Sequence, residues 1–138
     1  MASPKSHRVE KTRARVYVGK AQEFLAAARI AGDAGQADAA LLLPIHAGLS
    51  ACDAVTVALA GVRSTDPDHL RATDLLELVA KASAETRERA DQLRGLLKMK
   101  NLVEYEDRRV SAKEADTGTK RAERLVGWAI AQLERARL

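Results

Sequence analysis

The sequence predicts an all-α fold, an up-and-down bundle of four to five helices, on three observations. Of its 138 residues 27 are Ala and only four are aromatic. A core of that composition suits closely approaching, Ala- and Leu-lined helices, whereas a sandwich or barrel draws on many β-branched and aromatic residues. Apolar residues recur at helical spacing through most of the chain, and no segment alternates with period two for long enough to make a strand. Breaks containing Gly, Pro or Ser leave stretches of helix length between them. The length suits one domain, residues 8–138, behind a disordered leader over residues 1–7.

A first helix is expected from Arg8 to Ala31, with Tyr17, Ala21, Phe24, Leu25 and Ala28 on one stripe and Gly32-Asp33 and Gly35 ending it. A second runs from Ala37 to Ala60 and stops at Gly61, and Pro44 inside it is expected to kink or divide it. Its stripe is Leu41, Ile45, Gly48, Leu49, Cys52, Val55, Thr56 and Leu59. Thr65-Asp66-Pro67-Asp68 has the form of a helix start, with a capping oxygen, Pro at the first position and acid in the first turn. The short third helix carries Leu75, Leu76, Leu78 and Val79. Ser83 caps a fourth, over Ala84–Arg108. Ser111-Ala-Lys-Glu114 fits the capping box S-x-x-E and opens a fifth helix to Arg135, with Ala115, Gly118, Ala122, Leu125, Val126, Ala129 and Leu133 inward.

The formal charge of +4 is local in origin. Residues 1–20 hold six basic residues against Glu10, a net of +5, and the remainder nets −1. Such a cluster could touch phosphates, but it reads first as a solubilising arm leading into a helix. No apolar run approaches the ~20 residues of a membrane span and no apolar signal region opens the chain, so neither membrane nor export is expected. Cys52 is the one cysteine, which rules out an internal disulfide and makes a reducing cytoplasm the expected location. Three His and one Cys at unrelated spacings give no metal signature, and no Gly-rich phosphate loop occurs. No metal and no cofactor are therefore expected.

The most informative stretch is Leu96–Arg109. Successive i+4 steps put Leu93, Leu97, Asn101 and Tyr105 along one face, so Asn101 falls on the stripe expected to be buried. An amide there must find hydrogen-bond partners or cost about 1–3 kcal/mol. Lys100 flanks the stripe, and Glu104 stands one turn after it as an ion-pair partner. Polar groups so placed suit a cleft or a subunit interface, or simply a charged helix end with one satisfied core Asn.

The segment Lys100-Asn101-Leu102-Val103-Glu104-Tyr105 resembles the signature of HEPN-domain proteins, helical bundles marked by an Arg, a following polar residue and a His a few residues on. A stand-alone bacterial branch reads Arg-Asn-x-x-Asp-Tyr and then opens its last helix with Ser/Thr-x-x-Glu-Ala. Lys100, Asn101, Glu104 and Tyr105 match those positions in turn, and Ser111-Ala-Lys-Glu114-Ala115 matches the last-helix start. The second helix, around Ser50 and Asp53, is similar to the small-residue helix that faces the motif in that family. The resemblance implies a homodimer with a cleft lined by Lys100 and Tyr105 as catalytic groups and by Asn101, Glu104, Asp107, Arg108, Ser50 and Asp53 as ligand contacts. It implies RNA or nucleotide binding, metal-independent endoribonuclease activity in a toxin–antitoxin or phage-defence setting, and a nucleotidyltransferase-type antitoxin as partner. A non-catalytic interaction module that dimerises and grips a protein is the alternative, and a plain helical scaffold is a third.

Two departures bear on the chemistry. Lys100 keeps a cation but lacks the planar fork that clamps a phosphate. Tyr105 replaces the one side chain that titrates near neutrality with a phenol of pKa about 10, a poor general base. Arg63 and His69 stand at the hallmark spacing too, but across a loop and a helix start, where a common rigid face is not expected. His46 is read as a hydrogen-bonded core histidine and Cys52 as a small buried residue. Trp128 falls off the main stripe of the fifth helix and is read as a dimer or partner contact.

Overall fold

The computed structural model describes residues 4–81 and 83–138. Among the described residues five α-helices make the bundle: α1 (Ala14–Asp33), α2 (Ala37–Ala60), α3 (Leu70–Val79), α4 (Ala84–Tyr105) and α5 (Ala112–Arg135). A 3₁₀ turn over Lys11–Arg13 precedes α1. The expected all-α class is what the chain adopts, with one small addition. Strands β1 (Ser6–Arg8) and β2 (Val62–Ser64) pair antiparallel, with His7 opposite Arg63. Strands of three residues are too short to leave a period-two signature, which is why the sequence did not announce them. Of the leader expected over residues 1–7, Met1–Ser3 lie outside the described residues. Ser6 and His7 belong to the sheet.

Helix α2 lies at the centre and touches each of the other four helices. Its small side chains make that position attainable, since Ala47, Gly48, Ala51, Ala54 and Ala58 are all buried. At Gly48 a Cβ would meet Leu96 Cδ1 at 3.0 Å, Leu93 Cδ1 at 3.2 Å and Leu125 Cδ1 at 3.4 Å. Three leucines from α4 and α5 thus seat directly on the α2 backbone. Pro44 is buried within the same helix, which runs past it as one element instead of dividing. Among the described residues α2 is also the one helix long and apolar enough to cross a membrane by composition, although no such run stood out in the sequence. In the bundle most of that length is covered by its neighbours.

Helix starts differ from expectation where side chains are spent elsewhere. Asp66 Oδ1 accepts from the Asp68 N–H and Asp68 Oδ1 from the Leu70 N–H, both at 3.0 Å. These two turns delay α3 until Leu70, three residues beyond Pro67. The Ser111 capping box forms as expected, with Glu114 N–H donating to Ser111 Oγ and Ser111 N–H to Glu114 Oε1. Asp38, in the first turn of α2, accepts from the Val110 N–H at 2.9 Å and from Arg109 Nε at 2.6 Å. That pair of bonds ties the α4–α5 connection to the bundle and holds the Asp38 carboxyl below its usual range, chiefly through the main-chain bond.

Two expectations about facing are corrected. Asn101 is exposed and Tyr105 is 77% exposed, while Leu102 is the buried residue of that segment. Each i+4 step overshoots a full turn by about 40°, so a row begun at Leu93 and Leu97 has rotated out of the core by Asn101. Trp128 is buried in the core and not left free for a partner. Helix α5 packs against α1, α2 and α4 and therefore buries a wider arc than one stripe.

Candidate functional site

A cavity of about 400 Å³ opens between α1, α2 and the segment from β2 into α3. Helix α1 contributes Tyr17, Lys20 and Phe24, and α2 contributes His46, Leu49, Ser50 and Asp53. Both sets follow i, i+3/i+4, i+7 spacing, so each is one helical row turned toward the other. The connection adds Arg63, Ser64, Thr65, Asp66 and His69, and α3 closes the wall with Ala72. The volume lies within the ~300–1,000 Å³ range of small-molecule sites.

The polar groups are few and specific. Asp53 stands largely buried at the wall, and burial pushes its carboxyl up to about 6 against the opposing pull of Arg63 and Lys20. Arg63 Nε lies 3.8 Å from Asp53 Oδ2, beyond hydrogen-bond length, and is itself buried without a partner among the described residues. The Tyr17 ring carries two cations, Lys20 Nζ at 5.4 Å and Arg63 Cζ at 6.0 Å from its centroid. His46 leans on Phe24 with ring centroids 5.9 Å apart. Burial lowers the His46 pKa, and the neighbouring charges of His69 and Lys100 lower it further, with Glu104 opposing. The imidazole is therefore held toward its neutral form.

The candidate residues divide into three groups. Ser50 and Asp53 line the cavity. Lys100 and Glu104 pair with each other at 3.6 Å and act on His46 electrostatically, so they border the site from α4. Asn101, Tyr105, Asp107 and Arg108 do not line it. Arg108 is taken by a two-pronged bond to Glu114, at 3.0 and 2.8 Å, which pulls the Glu114 carboxyl down to about 2. Cys52 is buried with its thiol pKa raised by desolvation, in keeping with a packing role.

The sequence reading missed Arg63 with His69 as members of one site and treated His46 as a core residue. The fold brings all three to a single cavity. The available signal was the row His46–Ser50–Asp53 on α2 and its counterpart Tyr17–Lys20–Phe24 on α1, two polar–aromatic faces where an Ala/Leu core was expected. Among the described residues no group of three or more His, Cys, Asp and Glu could hold a metal ion. Comparison of the chain with protein-family models, curated proteins and solved structures finds no match.

Proposed function

We propose that this is a HEPN-like RNA- or nucleotide-binding protein whose phosphate-bearing ligand enters the α1–α2 cavity, with metal-independent RNA cleavage as the activity. One observation carries the reading: two imidazoles, a guanidinium, an ammonium and the carboxylates of Asp53 and Asp66 converge on one cavity of about 400 Å³. Arg63 and Lys20 supply the positive charge that a phosphate group needs. His46, held toward neutral, suits removal of a 2′-hydroxyl proton as that oxygen attacks phosphorus. His69, whose charge acts on His46 across the cavity lining, suits return of a proton to the departing 5′-oxygen. The HEPN resemblance began from α4, and the cavity shifts the weight of the proposal to Arg63 and His69.

The test is incubation of single-stranded RNA with the protein in chelator-treated buffer, beside His46→Ala and His69→Ala. Cleavage to 2′,3′-cyclic phosphate ends that both changes abolish supports the full reading. RNA bound but intact reduces it to binding, and RNA neither bound nor cut rejects it.

The alternative, a non-catalytic module gripping a second copy or an antitoxin-type protein, has its own support. Ile30 is 72% and Leu78 65% exposed, and with Tyr105 they offer apolar surface outside the cavity. Loss of self-association or partner binding in Tyr105→Ser, with RNA binding intact, would favour it.

A further inference from the structure

We infer that the N-terminal strand is a positioning element for this site: the main chain of His7 holds Arg63, and with it the Arg63–His69 segment, in the cavity wall. The inference rests on the proposed reading of the cavity. Five of the lining residues (Arg63, Ser64, Thr65, Asp66 and His69) come from the single connection between α2 and α3. Within that connection the side-chain bonds are local. Ser64 Oγ accepts from the Asp66 N–H, Asp66 from Asp68 and Asp68 from Leu70. The long-range main-chain bonds of the segment go to the N-terminus, with Val9 N–H donating to Gly61 O at 2.8 Å and Thr65 N–H to Lys5 O at 3.0 Å.

His7 lies midway between those two bonds and opposite Arg63. An antiparallel ladder repeats its bonded pairs every second residue, so His7 and Arg63 form the bonded pair in the middle. The attachment is local as well as narrow. Strand β1 is three residues long and exposed throughout, and among the described residues its sole strand partner is β2. The helices do not depend on it, because the core clusters are built from α1 onward apart from the flanking Val9. A short edge strand therefore fixes the main chain from which the Arg63 guanidinium reaches Asp53 and Tyr17, while contributing little to the bundle. The side chain of His7 is exposed, and the bonds that hold Arg63 are main chain.

The experiment compares His7→Pro, which removes the N–H that bonds Arg63, with His7→Ala, which keeps it. The chain has three histidines, so both variants leave only His46 and His69, the two in the cavity. Imidazole NMR signals of these two therefore report the site with or without a ligand. The expected result is a displaced His69 signal and faster hydrogen exchange at the Thr65 amide in His7→Pro alone, with helical circular dichroism unchanged in both. Binding of a short labelled single-stranded RNA of mixed sequence should weaken about tenfold in His7→Pro and stay at the parent level in His7→Ala. Identical His69 signals in the two variants would overturn the inference, as would full RNA affinity in His7→Pro. Arg63→Ala separates the two levels: if it binds RNA as the parent does, the reading of the cavity fails, whatever the NMR signals show about the strand.

Discussion

Arg63 Nε and Asp53 Oδ2 stand 3.8 Å apart in the cavity wall, close enough to attract and too far to share a hydrogen bond. The guanidinium thereby keeps capacity for an incoming group, and the carboxyl keeps a pKa of about 6 because its nearest cation compensates burial only in part. Both properties suit a ligand site better than a structural ion pair.

Asp53 should cost stability near neutral pH. Its folded-state pKa lies above the ordinary 3.8, so the folded protein binds the proton more tightly and this group's contribution falls as pH rises from about 4 to about 6. Asp53→Asn removes that penalty. The variant should gain about 1–3 kcal/mol at pH 7 and lose the advantage near pH 4, as read by urea denaturation at the two values.

Gly48 should not tolerate a methyl group. Leu93, Leu96 and Leu125 already crowd the position, and Leu93 and Leu96 are fully buried. Gly48→Ala is expected to destabilise by about 1–3 kcal/mol, seen as a fall in Tm, even though alanine favours helix elsewhere. At Gly118 a Cβ would meet Leu41 Cδ1 at 2.5 Å, and the same outcome is expected there.

The capping box should be measurable on its own. Ser111→Ala removes the acceptor for the Glu114 N–H and is expected to cost about 0.5–2 kcal/mol. The Glu114 carboxyl, pulled down to about 2 by Arg108 and by Ser111, stabilises the fold above pH 4.5 and loses that effect as pH falls toward 2. An acid titration of Glu114→Gln should lack that component.

RNA affinity should fall with salt, and Arg63→Ala should flatten the dependence. Loss of one phosphate contact on a single strand reduces the slope of log affinity against log salt by about 0.7. Arg108→Ala should leave the slope near the parent value, because its guanidinium is already engaged by Glu114.

How much of this was legible follows the range of the signal. Helix periodicity and caps are local, so α2 was read to both ends and the Ser111–Glu114 box residue by residue. Facing at the end of α4 was lost because a row of i+4 steps drifts, carrying Asn101 and Tyr105 to solvent. The cavity was legible only in halves. Ser50 and Asp53 stood out on α2, but their partners Lys20, Arg63 and His69 arrive from a helix before and a loop after, a juxtaposition no short window contains. Strands of three residues carry no periodic signal, so the register that sets Arg63 opposite His7 could not be read either.

The site proposed here is the α1–α2 cavity and not the exposed end of α4. The most direct measurement is the affinity of Arg63→Ala and Tyr105→Phe for the same labelled single-stranded RNA in chelator-treated, low-salt buffer. A loss of about tenfold or more is expected for Arg63→Ala and parent affinity for Tyr105→Phe. Parent affinity in Arg63→Ala with a loss in Tyr105→Phe would contradict it and return the site to the last turn of α4.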